Sequence, residues 1–221
     1  MRPIVVTVGP VLAAVPNSIA ILQTLSGAGA LALNGSYVNL GSGVAVMPNA
    51  TAVKVTVNGA GNNSGVNFTI TGTNQNNSLT VETIPGANNG TVTTTNYFLT
   101  VQSVTASAAT AGDVSVGTSA LASSAWVNYD TWSLSQVSIQ VDVLGVANFT
   151  VQQTLDDPNS PTSPVPPIDM QWVNHPDVNL VNGTATAQSN YGYVPAYSRV
   201  LLNSGSGSLR ATFIQSGVTP I

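Results

Sequence analysis

The chain has 221 residues, of which 43% are hydrophobic and only 5% are charged, whereas a typical soluble domain carries about 25% charged residues. A formal net charge of −4 provides no cationic field for phosphates, so we expect no nucleic-acid partner. The lack of cysteine and the single histidine exclude disulfides, thiolate metal sites and centres with two imidazoles. We therefore predict a protein that is not an enzyme and uses no cofactor.

The composition also indicates the fold class. Serine, threonine and asparagine make up about a third of the sequence and, with 20 Gly and 13 Pro, favour turns and strands over helix interiors. We predict an all-β protein. Because so neutral a surface lacks the charge repulsion that keeps monomers apart, we expect much of it to be covered in an assembly.

The N-terminal segment is apolar but interrupted. Gly9, Pro10 and Pro16 break it, whereas a secretory signal needs an unbroken apolar run and a membrane span needs about 20 apolar residues. We expect neither, and no membrane partner. Residues 1–45 match no later part of the chain, so we predict an N-terminal arm or leading strands there.

Alternating apolar and polar residues predict half-buried strands along the rest of the chain. The apolar positions of these strands are Val53, Val55 and Val57; Val66, Phe68 and Ile70; Leu79 and Val81; Val114 and Val116; Val137, Ile139, Val141 and Val143; Phe149, Val151 and Leu155; and Leu209, Ala211 and Phe213. Asn-Gly pairs at 34, 58, 89 and 182 predict turns between them.

Two stretches of the sequence repeat in the same order. Residues 67–73, NFTITGT, match residues 148–154, NFTVQQT, and residues 89–97, NGTVTTTNY, match residues 182–191, NGTATAQSNY. Because the order is kept, we predict a duplicated chain that folds as two tandem β-sandwich-like domains. Chance similarity between strands rich in Thr and Asn is the alternative.

This repeat sets the predicted domain boundaries. We predict an arm or leading strands over residues 1–45, a first β domain over 46–119, a linker over 120–130 and a second β domain over 131–221. The second copy carries a proline-rich insertion, residues 156–167, which does not fit a central strand because each proline removes a donor from the ladder. We expect an exposed loop or a stiff extended arm there.

Large aromatic residues gather in the second half of the chain. Trp and Tyr dominate protein interfaces and also stack on sugar rings, whereas core packing is the plain alternative. We assign an interface role to Trp126, Tyr129, Trp132, Trp172, Tyr191 and Tyr193.

The sequence offers no strong catalytic or metal-binding motif. The tripeptide at 175–177, His-Pro-Asp, is also found in J-domain co-chaperones, but the helices and basic charge of that family are missing, and we interpret it as a turn. A Ser–His–Asp triad lacks its Gly-x-Ser-x-Gly elbow. Asp156 and Asp157 lack the glycine-containing calcium pattern, so a Ca²⁺ site in this loop stays a minor alternative to a solvated turn.

Four strings of the sequence carry a family resemblance: residues 1–6 (MRPIVV), residues 23–35, residues 61–73 and residues 154–158 (TLDDP). They resemble small virion structural proteins of tailed bacteriophages. The resemblance implies a β-rich protein of the particle, a capsid cement or decoration protein, or otherwise a head–tail or tail component. It implies no individual functional residues, because such proteins act through surfaces.

These observations lead to one functional hypothesis. We expect a non-enzymatic virion structural protein on the outer surface of the head, docked on the major capsid protein or another virion protein through strand edges and residues 1–45. A homo-oligomer fits this role, and we take a trimer because local three-fold positions are docking points on icosahedral shells. The alternatives are a head–tail or tail component, and a carbohydrate- or receptor-binding adhesin or head fibre in which Trp126, Trp132 and Trp172 share one exposed face.

Overall fold

The computed structural model describes residues 3–11, 13–131 and 136–215. Strands make up 57% of the structure, and these ranges contain no α-helix, only two short 3₁₀ turns at Pro48–Ala50 and Val178–Leu180. Within the same ranges, no helix is long and apolar enough to cross a bilayer. The all-β fold class predicted from composition and alternation is therefore confirmed, with antiparallel sheets in a sandwich-type fold.

Nineteen strands follow one another along the described chain. In order they are β1 (Ile4–Val8), β2 (Val15–Gln23), β3 (Gly29–Ala30), β4 (Val38–Asn39), β5 (Val44–Val46), β6 (Ala52–Asn62), β7 (Asn67–Thr73), β8 (Leu79–Pro85), β9 (Asn88–Phe98), β10 (Thr100–Ala106), β11 (Val114–Ser123), β12 (Val127–Asn128), β13 (Val137–Leu144), β14 (Ala147–Thr154), β15 (Val173–Asn174), β16 (Val181–Gly183), β17 (Ala187–Tyr191), β18 (Tyr197–Gly205) and β19 (Ser208–Gln215). They fall into two compact units: a continuous unit, Leu12–Ala120, and a discontinuous unit, which combines Met1–Val11 with Leu121–Ile221.

The continuous unit contains two sheets. One has the strand order β2-β11-β6-β9, and the other has the order β4-β5-β10-β7-β8, with β3 also paired with β10. Alternate residues of both sheets form its core, which includes Val55, Val57, Phe68, Ile70, Val101, Val104, Val114 and Val116. On β7, for example, Phe68 and Ile70 are buried while Asn67 remains exposed, as the period of two predicts.

The discontinuous unit is built in the same way. Its first sheet has the order β1-β19-β13-β17. Its second sheet centres on β14, which pairs with β18 on one side and with β15 and β16 on the other. β12 and the last residues of β11, Ala122 and Ser123, pair with the opposite edge of β18. A 2.8 Å hydrogen bond between Tyr191 Oη on β17 and Ser198 Oγ on β18 joins the two sheets.

The two units share one strand order. β2, β11, β6 and β9 correspond to β1, β19, β13 and β17, and β8, β7 and β10 correspond to β15–β16, β14 and β18. The repeated strings NFTITGT and NFTVQQT lie on the corresponding strands β7 and β14. Phe68 and Phe149 are buried there, opposite Ala106 and Leu202 respectively. The order of strands thus repeats together with the sequence strings.

Both copies of the Asn-Gly string begin in the same backbone conformation. Asn89 and Asn182 have φ values of 51° and 54°, in the left-handed region that asparagine tolerates better than most residues. Gly183 follows Asn182 and lies against the side chain of Phe149. A Cβ atom at Gly183 would be only 2.8 Å from the Phe149 ring. The backbone at the end of β16 therefore lies directly against a buried ring, where only glycine fits.

The N-terminal range 1–45 is divided between the units. β1 pairs with β19 along all five of its residues and belongs to the discontinuous unit, whereas β2, β3 and β4 belong to the continuous unit. The range 120–130, predicted as a linker, contains the end of β11 and all of β12, both paired with β18. The unit boundaries fall after Val11 and Ala120, because strand pairing decides which segments complete each sheet.

Replacing Phe68 or Phe149 with alanine tests the equivalence of the two cores. Both residues are at most 1% exposed, so we expect each change to lower the free energy of unfolding by about 3–5 kcal/mol. Urea unfolding followed by circular dichroism measures the loss. Leu79→Ala and Leu155→Ala, at leucines that are 65% and 71% exposed, are the controls and should cost less than about 1 kcal/mol. A small loss at only one of the two phenylalanines would contradict the equivalence.

Candidate functional site

Two of the aromatic residues predicted as an interface lie together in the discontinuous unit. The ring centroids of Trp126 and Trp172 are 5.2 Å apart with a 56° tilt, and Tyr197 meets Trp126 edge-on at 6.0 Å. Met170 and Ala196 are buried in the same group, which we call the aromatic cluster. Both indoles are half-buried, so the cluster extends from the interior of the unit to its surface.

Arg199 on β18 stacks on the aromatic cluster. Its guanidinium carbon lies 4.1 Å from the centroid of the Trp172 ring, within the range of a cation–π contact. Its Nε and Nη2 atoms donate to Gln152 Oε1 at 3.0 and 2.8 Å, and Gln152 Nε2 donates to Asn174 Oδ1 at 3.0 Å. These contacts hold the cation over the indole, so this face of Trp172 is occupied and does not offer a platform for a sugar ring.

The proline-rich insertion, residues 156–167, folds onto the same cluster. Asn159 Nδ2 donates to the Tyr197 hydroxyl at 2.9 Å, Val165 packs against the cluster, and the Val165 N–H donates to the Asp157 carbonyl at 3.1 Å. The insertion contains no strand and its middle is exposed. It therefore presents a fixed irregular surface beside the two indoles.

The acidic residues of this insertion accept hydrogen bonds from nearby backbone. Asp157 Oδ1 accepts from the Asn159 N–H at 2.8 Å, and Asp156 Oδ2 accepts from the Gln171 N–H at 2.6 Å. Among the residues that the structure describes, no group of three or more His, Asp or Glu side chains is placed to hold a metal ion. A local turn accounts for the position of Asp157, and a contact with the backbone of Gln171 accounts for that of Asp156.

Two of the tyrosines predicted at the interface lie in the core. Tyr191 is fully buried and Tyr129 is 4% exposed. The two rings meet edge-on at 6.4 Å, and Tyr129 also contacts Phe213 at 6.3 Å. The two rings pack the core of the unit. This burial does not fit the interface role that the sequence predicts for Tyr129 and Tyr191.

The remaining aromatic predictions differ from one another. Tyr193 is 48% exposed, and its hydroxyl accepts from Gln153 Nε2 at 2.9 Å. Trp132 lies outside the described residues. Arg199 was not among the predicted interface residues, because the residues around it on β18 carry no sign that Trp172, from a separate loop, lies against it.

His175 is buried beside Tyr191. The two ring centroids are 4.6 Å apart, His175 is 3% exposed, and its Nδ1 atom accepts from the Asp177 N–H at 3.0 Å. Asp177 in turn caps a 3₁₀ turn by accepting from the Asn179 N–H at 2.9 Å. The tripeptide thus forms a turn. Burial lowers the pKa of His175, although the charge of Asp177 acts in the opposite direction.

Comparison with known proteins identifies no relative of this chain. No family model, no curated protein and no solved structure matches it.

The burial of His175 predicts a stability that is sensitive to acid. Because its pKa in the folded state lies below the ordinary value of 6.5, the unfolded chain binds a proton first as the pH falls. We expect the free energy of unfolding to be retained above about pH 7 and to decrease as the pH falls through about 6.5, until the lowered pKa of the folded state is passed.

His175→Gln removes the only histidine of the chain and should flatten this decrease. Urea unfolding at a series of pH values measures the slope, so a general loss of stability in the variant does not disturb the comparison. A variant that keeps the wild-type slope between about pH 7 and 5 would contradict the role of His175.

Proposed function

We propose that this chain is a non-enzymatic structural protein of a tailed-phage particle, which stabilises the head as a capsid cement or decoration protein. In this role it docks on the major capsid protein or another virion protein, at the outer surface of the head, as a homo-oligomer. The observation that carries the proposal is a nearly uncharged β-sandwich surface. The family resemblance of the sequence supports the same role.

The outer face of the sheet β1-β19-β13-β17 illustrates this surface. Gln188 Nε2 donates to Gln140 Oε1 at 2.7 Å, Gln140 Nε2 donates to Asp142 Oδ1 at 2.7 Å, and Arg210 Nη2 donates to Asp142 Oδ2 at 2.7 Å. One series of side-chain hydrogen bonds thus crosses three neighbouring strands. The Arg210 hydrogen bond, followed by that of Gln140, lowers the pKa of Asp142, so its carboxylate stays ionised at neutral pH beside the guanidinium 2.7 Å away.

Threonine pairs cover a surface of the continuous unit. On strands β8, β7 and β10, the hydroxyl oxygens of Thr69 and Thr83 are 2.8 Å apart, as are those of Thr73 and Thr100. These cross-strand contacts satisfy the hydroxyls within the sheet, and Val81 on β8 is 42% exposed. The result is a neutral surface that mixes polar and apolar groups, as protein interfaces do.

Such surfaces suit permanent docking better than chemistry. Burying neutral groups that are already hydrogen-bonded costs less desolvation energy than burying charges, and weak contacts repeated over many sites add up through avidity. Histidine is the side chain that most often serves as a general base, and the single histidine here is buried with Nδ1 engaged. These features support a role in assembly.

Mass spectrometry of purified particles of the phage that encodes this chain tests the proposal. We expect many copies per particle, in a fixed ratio to the major capsid protein as internal standard, because a cement protein occupies repeated sites on the shell. One to a few copies per particle would contradict the cement role and favour a head–tail or tail component. Absence of the chain from complete particles would contradict the proposal as a whole.

A second candidate function is a carbohydrate- or receptor-binding adhesin or head fibre. The observation that favours it is a cleft of about 530 Å³ next to the aromatic cluster, lined by Asn128, Asp130, Asp157, Asn159 and Tyr197 among others. Planar amide and carboxylate groups beside a tyrosine hydroxyl are groups that hydrogen-bond sugar hydroxyls.

Glycan-array binding separates this candidate from the first. If the cleft binds a sugar, Asn128→Ala should weaken binding about tenfold or more, because truncation removes a hydrogen-bonding group from the lining. Asn190→Ala, at an exposed asparagine on β17 away from this lining, is the matched control and should bind like the wild type. Equal binding by both variants, or no glycan binding by the wild type, would contradict the second candidate.

A further inference from the structure

Within residues 3–11, 13–131 and 136–215, one sheet edge lacks the features that normally prevent edge-to-edge pairing. Natural edge strands are protected by prolines, bulges, charged side chains, short length or a covering segment. β1 is the outer strand of the sheet β1-β19-β13-β17. It pairs with β19 without a register shift, and its sequence, IVVTV, contains neither a charge nor a proline.

The other long edge strands of the described chain are protected. β2 contains Pro16 and its register against β11 shifts twice, and β9 shifts register twice against β6. β8 ends at Pro85 and carries Glu82, whose carboxylate accepts from the Thr95 N–H on β9 at 2.6 Å. β17 is polar and contacts the 3₁₀ turn Val178–Leu180. The remaining described edge strands are only two or three residues long.

The edge strand β1 also exposes apolar side chains. Ile4 and Val5 are 40% and 51% exposed even though β1 is paired with β19, and Ile214 on β19 is 44% exposed. Pro3 precedes the strand and Gly9-Pro10 follows it. Because proline has no N–H to donate, a partner strand forms its ladder with the five residues between them. The edge therefore fits a short, neutral and apolar strand.

We propose that β1 pairs antiparallel with β1 of a second copy, so that the two four-stranded sheets join into one. This inference rests on the proposed assembly role and names the surface that carries it. About a two-fold axis at Val6, Ile4 lies opposite Val8 of the second copy and Val5 lies opposite Thr7. Each pair joins residues of the same sheet face, so the buried face and the outer face both continue from one copy to the next.

A second copy fits this edge better than a strand of another protein. It presents the same length, the same flanking prolines and the same lack of charge, so nothing on the strand repels its partner. Antiparallel pairing of identical strands generates a two-fold axis. The assembly unit is therefore a dimer, in place of the trimer expected from the sequence.

Sedimentation velocity of the full chain and of Val5→Lys tests this pairing. Val5 is 51% exposed, so a lysine at this position leaves β1 paired with β19. The lysine adds a positive charge to the edge that joins the two copies. Because the pairing is two-fold symmetric, each dimer carries two such charges at the joined edge. We expect a wild-type dimer and a dissociation constant raised about tenfold or more in the variant. Val146→Lys, at a residue that is 75% exposed between β13 and β14, adds the same charge elsewhere and should leave the dissociation constant unchanged.

A single cysteine tests the register. Val6→Cys gives the chain its only cysteine, and residues opposite each other in an antiparallel pair have Cα atoms about 4.5–5.5 Å apart, a separation that permits a disulfide. Oxidation should convert the dimer into a covalent dimer. Val146→Cys should remain uncoupled under the same conditions.

Three results would overturn the proposal: a wild-type chain that stays monomeric, a dimer that Val5→Lys and Val146→Lys affect equally, and a monomer whose β1 pairs with a strand of another virion protein. None of them changes the copy number of the chain in purified particles. Failure of the β1 pairing is therefore distinguishable from failure of the proposed function.

Discussion

Backbone pairing between opposite ends of the chain is the constraint on which the discontinuous unit depends. β1 and β19 pair from Ile4 opposite Phe213 to Val8 opposite Leu209, so the first strand completes a sheet whose other strands all come from the second half of the chain. Without β1, the N–H and C=O groups on one side of β19 would form a bare sheet edge. Such non-local pairing forms only after a large loss of chain entropy, so the packing around it has to supply the compensating stability.

Tyr191 connects that pairing to the candidate site. Its ring contacts Tyr129 and His175, and its hydroxyl is hydrogen-bonded to Ser198 on β18. Burial raises the pKa of Tyr191, which keeps the hydroxyl protonated, and a buried hydroxyl that lost its partner would cost about 1–3 kcal/mol. The bond therefore holds the sheet of β1 and β19 against β18, the strand that carries Arg199 over the aromatic cluster.

Local patterns in the sequence predict the strands and the repeat, because these depend on neighbouring residues. The period of two identifies Phe68 and Phe149 as inward-facing. The turns predicted at the Asn-Gly pairs are mostly wrong: only the pair at 34 lies outside a strand, whereas the pairs at 58, 89 and 182 lie within β6, β9 and β16. The same patterns do not say which strand lies beside which. Nothing in the alternation of β1 distinguishes pairing with β19 in one unit from pairing with a strand of the other. The sequence alone therefore does not show that the predicted arm or leading strands over residues 1–45 divide between the two units.

The candidate site is less predictable than the fold for the same reason. Tyrosine is a residue type that is common at interfaces, so the sequence alone suggests that role for Tyr129 and Tyr191. Only the tertiary packing shows that both lie in the core. The contact of Arg199 with Trp172 joins β18 to a loop before β15, so it depends on tertiary structure alone. The sequence shows that aromatic residues are concentrated in the second half of the chain. It does not show that Trp126 and Trp172 are in contact.

The shortage of charge and the state of the sheet edges lead to one conclusion. A neutral surface gives little electrostatic protection against association, so unspecific pairing has to be blocked strand by strand. The prolines, the register shifts and Glu82 do this at β2, β8 and β9, and polar residues and a neighbouring 3₁₀ turn do it at β17. Against that background, an unprotected five-residue edge at β1 is a local exception within a protected molecule. An exception of this kind is expected where pairing serves the protein, so the proposed pairing of two copies would use the one described edge that carries no such protection.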